Sequence, residues 1–151
     1  QNLIVLKAFT KLYAMAGLRL GYLLCSNENL IEKIRCATQP WSVSSLAQEA
    51  GIAALKEKAY MERSLLFIER ERKFLKEVLR KAGAYVYDSQ ANFIFFRWKD
   101  NTLKEKLYRK GILIRSCENY PGLDHWDYRI AVRTEKENRQ LEKALLEITS
   151  D

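Results

Sequence analysis

Two prolines, one histidine and three cysteines are all that this 151-residue sequence holds of the residues that build proline-rich linkers, metal centres and disulfide frameworks. Cys25, Cys36 and Cys117 are odd in number and show no CxxC spacing, so they read as reduced cytosolic thiols with no metal site implied. No apolar run approaches the roughly 18 residues of a membrane-spanning helix. No signal peptide opens the chain. The expected compartment is therefore the cytoplasm, with no membrane partner. Repeats, low-complexity tracts and charged tails are missing too. The first residue is Gln1 rather than methionine and an apolar run begins at Leu3, so the sequence reads as a fragment of a longer protein.

What is present suits about one globular domain: 48% apolar residues, 30% charged residues and length enough for a core. The net charge of +7 favours anionic ligands, and a basic nucleic-acid-binding module is the alternative class it raises. Acidic residues are interleaved with the basic ones along the expected helices, which marks a solvated face rather than a binding stripe. No nucleic-acid partner is expected. A noncatalytic interaction domain built on a long helix is the other competing class.

Periodicity divides the chain. Apolar runs at Leu3–Leu6 and Leu20–Cys25 predict two buried strands flanking an irregular loop. Ser26 to Asn29 is rich in helix caps and precedes Leu30, Ile31 and Ile34, predicting a helix over about 28–37. Pro40 ends that pattern. From there to Lys81 runs an amphipathic stretch without proline, read as one long helix whose breaking point would lie near residues 56 to 60. Gly83 suits the position after its end. Strands are then expected over 84–87, 92–98, 112–115 and 128–133, with a helix over 102–109 ended by Gly111. Thr134 to Glu137 forms a capping box before a closing helix marked by Leu141, Leu145 and Ile148. The order predicts an α/β fold, its last part a small sheet with helices on one face.

The loop between the first two strands carries the chemistry. It reads Ala8-Phe9-Thr10-Lys11-Leu12-Tyr13-Ala14-Met15-Ala16-Gly17-Leu18-Arg19-Leu20-Gly21-Tyr22. Gly17 and Gly21 allow backbone geometries that other residues resist. A lysine shielded from water on such a loop has a lowered pKa, and its neutral amine attacks carbonyls. Thr10 and Arg19 could donate hydrogen bonds to a phosphate beside it.

Residue for residue, this stretch resembles the lysine motif of fold-type I pyridoxal-phosphate enzymes, in the branch of histidinol-phosphate aminotransferase and threonine-phosphate decarboxylase. The resemblance implies that Lys11 condenses with the aldehyde of pyridoxal 5'-phosphate, while Thr10 and Arg19 hold its phosphate. It extends over nearly all of the sequence but covers only the C-terminal part of the family fold: residues 1–40 as the end of the large cofactor domain, 41–82 as the linking helix, and 83–151 as the small α/β domain. Other cofactor contacts of the family would come from sequence upstream of Gln1. The fragment alone is thus expected to be nearly inactive, and the full-length protein to be a homodimer.

Two arginines complete the expected site. Alternation along Asp127 to Arg133 sets Arg129, Ala131 and Arg133 on the face opposite Tyr128, Ile130 and Val132. By themselves these residues read as solvent-facing. The resemblance assigns Arg129 to the α-carboxylate of the substrate, and Arg115, ending its own strand, to the phosphate of the substrate. The segments Arg115-Ser116-Cys117-Glu118-Asn119-Tyr120-Pro121-Gly122-Leu123 and Ala131-Val132-Arg133-Thr134 look more like threonine-phosphate decarboxylases. Decarboxylation of L-threonine O-3-phosphate to an aminopropanol phosphate, for cobalamin assembly, is the implied reaction; transamination of histidinol phosphate is the alternative. His125 reads as an exposed loop residue, and Asn92 as a turn-closing one.

Overall fold

The structure, a computed structural model, describes residues 3–150. The chain forms two compact units, Gln1–Leu65 and Leu66–Asp151.

In the first unit, β1 (Val5–Ala8) and β2 (Gly21–Leu24) form an antiparallel pair in which Ala8 faces Gly21. The helix α1 (Glu28–Ala37) begins at Asn27, whose side chain accepts a 3.0 Å hydrogen bond from the Leu30 amide. The helix α2 (Ser45–Lys56) begins at Ser44, which accepts one from the Ala47 amide. Both caps satisfy amides that a helix's first turn leaves without partners. On α2, Gly51 lets Leu20 approach to a point only 2.5 Å from where a β-carbon would stand. The two strands were expected to be buried, and they are not. Leu6 is 77% exposed and Leu24 54%. A two-stranded ribbon has no third strand to widen its core face, so little of its apolar surface leaves water.

The helical stretch breaks at Glu57, inside the span read as its breaking point, and resumes as α3 (Lys58–Lys81). It ends in a Schellman motif: Gly83, at φ +88, and Ala84 donate their amide hydrogens to the carbonyls of Arg80 and Leu79. The exposed pair Glu69–Lys73 closes at 2.8 Å.

In the second unit, β3 (Tyr85–Val86), β4 (Phe93–Arg97), β5 (Arg115–Ser116) and β6 (Asp127–Ala131) form one antiparallel sheet in the order β3-β4-β6-β5. Ile94 and Phe96 of β4 pair with Ile130 and Tyr128 of β6, and all four are buried. The core packs them against Leu75, Val78 and Leu79 of α3, Leu103 and Leu107 of α4 (Leu103–Arg109), and Leu141, Leu145 and Ile148 of α5 (Glu135–Ser150). Each large side chain buried there contributes about 1.5–3 kcal/mol. The strand expected over 112–115 is displaced: β5 starts only at Arg115. Ile112 to Ile114 carry strand-forming side chains, but they continue the turn at Gly111, φ +75, and join no ladder.

At the start of α5 the capping box is reciprocal. Glu137 accepts from the Thr134 amide at 3.1 Å, and Thr134 Oγ1 accepts from the Glu137 amide at 3.5 Å. Among the described residues, no helix is long and apolar enough to cross a membrane. No group of three metal-ligating side chains is gathered among them either.

Candidate functional site

Thr10, Lys11 and Arg19 lie together at the neck of the loop between β1 and β2. The Phe9 amide donates to the Leu20 carbonyl at 3.1 Å, extending the ladder by one position. One step further into the loop stand Thr10 on one limb and Arg19 on the other, with Lys11 next to Thr10. Beyond them the chain folds back on itself: the Ala14 amide bonds the Lys11 carbonyl, and the Met15 amide bonds that of Phe9. Phe9 is buried and anchors the neck, with Tyr13 at 5.0 Å and Tyr22 at 5.9 Å between ring centroids.

Two expectations for this loop need correction. Lys11 is exposed rather than shielded, since no described side chain of the loop covers it. The left-handed backbone falls on Ala14, φ 55, and Arg19, φ 51, not on Gly17 or Gly21. Gly21 is needed for a different reason, because a β-carbon there would stand 2.9 Å from the Lys7 carbonyl oxygen. Arg19 spends one guanidinium donor on the Ala16 carbonyl at 3.2 Å, which leaves its other donors for a ligand. A hydroxyl, an amine and a guanidinium on one loop neck make a donor set that fits an aldehyde carrying a phosphate.

Arg115 and Arg129 are direct cross-strand partners in the second unit. Side chains at paired positions point to the same sheet face, here the one opposite the helices. Two like charges facing each other disfavour the pairing unless an anion lies between them. Among the described residues, neither guanidinium has a carboxylate within 4.0 Å. Arg115 sits over the Tyr120 ring at 5.9 Å and Arg129 over the Phe93 ring at 4.8 Å. Cys117, buried on the same strand edge, has its thiol pushed above the ordinary range by burial, against the pull of Arg129 and Arg115.

Sequence reasoning missed a third arginine on this face. Arg97 follows Phe93 and Phe95 in the alternation of β4, a signal legible in the Phe-Ile-Phe-Phe-Arg run. Its charge is already matched: it donates to Asp124 at 2.6 Å and lies 3.5 Å from the buried carboxylate of Asp127. The hydrogen bond to Asp124 raises the Arg97 pKa, and the Trp126 amide together with Arg97 lowers that of Asp124. Only Arg115 and Arg129 of the three are therefore available to an outside anion. His125 is exposed and packs edge-on to Trp126, as a loop residue would. Asn92 extends the β4–β6 ladder by one step, its carbonyl accepting from the Val132 amide at 2.8 Å.

Known proteins match this chain. The family model described as aminotransferase class I and II matches residues 1–145. Threonine-phosphate decarboxylase of Salmonella typhimurium is 39% identical over 144 residues, covering 93% of this chain and 40% of the relative. Histidinol-phosphate aminotransferase 2 of Archaeoglobus fulgidus is also 39% identical, over 150 residues, covering 97% of the chain and 43% of the relative. The crystal structure of the histidinol-phosphate aminotransferase from Clostridium acetobutylicum superposes with a TM-score of 0.91 at 36% identity, over 97% of this chain and 46% of that one. The chain thus spans about two-fifths of the length of these curated relatives. By its sequence and its mixed α/β structure, the chain belongs to the aminotransferase class I and II family of fold-type I enzymes.

Proposed function

We propose that this chain provides the lysine loop and the substrate-anion arginines of a pyridoxal-phosphate enzyme acting on a phosphorylated amino acid. The carrying observation is the cross-strand pair Arg115–Arg129, two guanidinium groups on one face without carboxylate partners among the described residues, beside an Arg97 whose charge is matched. In this reading Thr10 and Arg19 hold the cofactor phosphate and Lys11 presents the amine that its aldehyde meets. Residues 1–40 end the cofactor domain, 41–82 link it onward, and 83–151 form the small domain. A homodimer in the cytoplasm belongs to the same proposal.

Pyridoxal phosphate, when bound, supplies an electron sink for a bond breaking next to the substrate amine. Arg129 grips the α-carboxylate through a planar fork of donors, and Arg115 takes the phosphate. Together they would orient the substrate and so select which bond beside its amine breaks. The Lys11 amine then holds or returns the proton at the α-carbon.

Loss of the carboxylate from L-threonine O-3-phosphate, giving an aminopropanol phosphate for cobalamin assembly, is the first reading, supported by the decarboxylase among the relatives. Transamination of histidinol phosphate is the second, supported by relatives of equal identity. The protein expressed from its complete reading frame should release carbon dioxide from threonine phosphate and transfer no amino group from histidinol phosphate; the reverse pattern selects the second reading. Lys11→Ala should abolish either activity. Borohydride reduction of the protein from its complete reading frame, mixed with the cofactor, should label Lys11 ahead of its other exposed lysines. Turnover that survives Lys11→Ala, or labelling spread evenly over the lysines, would end the proposal.

A further inference from the structure

Arg129 is half-buried, unpaired by any described carboxylate, and held by an aromatic ring. Its guanidinium carbon lies 4.8 Å from the centroid of Phe93, which belongs to the neighbouring strand two ladder positions along, next on the same face after its direct partner Phe95. A ring face attracts a guanidinium and, being planar, restricts it to stacked orientations that leave its edge donors free. Phe93 thus satisfies the cation without using the donors an anion needs. A carboxylate in the same place would use them, as Asp124 does for Arg97.

The backbone that carries the ring is fixed from behind. The Phe93 carbonyl accepts from Ser89 Oγ at 2.6 Å, and the Asn92 carbonyl accepts from the Val132 amide at 2.8 Å, tying this end of β4 to the end of β6. The turn before it is clamped to α3. Arg72 donates to the carbonyls of Gln90 and Ala91 at 3.1 and 3.0 Å, and Lys76 donates to Asp88 and to the Ser89 carbonyl at 2.8 and 3.1 Å. Five consecutive residues, Asp88 to Asn92, are therefore each hydrogen-bonded to a neighbouring element or to the strand they precede. Such bonding rigidifies a loop that nothing in its polar sequence would otherwise order.

We infer that Phe93 is a positioning residue for Arg129, a shelf that holds its guanidinium ready for an anion, and that α3 sets the height of this shelf through Arg72. The inference rests on the anion-binding reading of Arg129 proposed above. It adds that affinity at Arg129 depends on a residue that touches no ligand and on a helix two steps away.

The test uses this 151-residue chain and O-phospho-L-threonine as the probe, with NMR following the Arg129 Nε–H signal. In the wild type that proton should be shifted upfield by the ring current of Phe93. Phe93→Leu keeps an apolar side chain of similar bulk but removes the ring face. It should bring the proton to its random-coil position and weaken probe binding roughly three- to tenfold. Phe93→Tyr should retain both the shift and the affinity. Arg72→Gln should diminish the upfield shift while leaving the dispersion of the core amides intact. If Phe93→Leu does not fold, Arg72→Gln decides: an unchanged Arg129 signal with unchanged affinity overturns the inference. An unshifted Arg129 proton in the wild type overturns it too, as does Phe93→Leu binding as tightly as the wild type. Arg129→Ala separates the two proposals. If it weakens binding while Phe93→Leu does not, the shelf falls and the anion site stands; if it leaves binding unchanged, both fall.

Discussion

At the scale of single residues, identity and environment gave different information. The pairing of Arg115 with Arg129 across two strands places like charges face to face, which opposes folding and favours anion binding. Arg129→Gln should therefore abolish binding of O-phospho-L-threonine while raising stability by roughly 0.2–1 kcal/mol, read from urea unfolding. Arg97→Gln should do the opposite: it leaves the buried Asp127 carboxylate without its cation, so the thermal midpoint falls while probe affinity holds. Both arginines of the pair were legible as candidates, but only through their likeness to a known pattern. The residue types alone cannot tell a matched arginine from an unmatched one, because Asp124 and Asp127 lie some thirty positions from Arg97 and meet it only through β4–β6 pairing. The glycines show the same divide. Gly17→Ala meets open space in a right-handed turn and should stabilise by about 0.4–1 kcal/mol. Gly21→Ala drives a β-carbon against the Lys7 carbonyl and should destabilise by roughly 1–3 kcal/mol. A urea midpoint that falls for Gly17→Ala, or rises for Gly21→Ala, would contradict the assignment at that glycine.

At the scale of elements, local rules held wherever a local interaction decided the outcome. The caps at Asn27, Ser44 and Thr134 and the glycine stops at Gly83 and Gly111 stand where side-chain chemistry and φ requirements put them. Glu137 closes the last capping box. Its hydrogen bonds from Arg133 and Thr134 lower its pKa from the ordinary 4.5 to about 2. The folded chain thus binds this proton less readily than the unfolded chain does. The stabilisation is complete above about pH 4.5 and is lost as pH falls toward 2. Helical circular dichroism of the wild type should therefore melt at lower temperature across that interval. Glu137→Gln keeps an acceptor but cannot titrate, so the difference in midpoint between the two proteins should shrink as the pH drops; a constant difference would contradict the linkage. Local rules failed at β5. Ile112 to Ile114 have strand propensity, yet a strand exists only where a neighbour offers a ladder, and on the side away from β4 the β6 ladder takes in Arg115 and Ser116 but none of Ile112 to Ile114.

At the scale of the whole molecule, the apolar burial is uneven. The second unit holds a continuous core from α3, α4, α5 and the sheet, whereas the first buries little beyond Phe9, Ala47, Gly51 and Ala54. Local opening free energy follows buried contacts, so amides of β1 and β2 should exchange with solvent well before those of β4 and β6 in hydrogen-exchange measurements. Equal protection of the two ladders would show that the hairpin has a covering the described residues do not supply. The sequence by itself determined the order of helices and strands, the helix ends, the inward set of the final sheet and the lysine loop, because periodicity, capping and turn chemistry act over a few residues. Only the tertiary structure decided that Arg115 faces Arg129, that Arg97 is already matched, that Phe93 underlies the guanidinium of Arg129, and that the first strands stay exposed. Each of these depends on which segments meet across long stretches of chain, and strand register and burial are set by that meeting rather than by the residues near at hand.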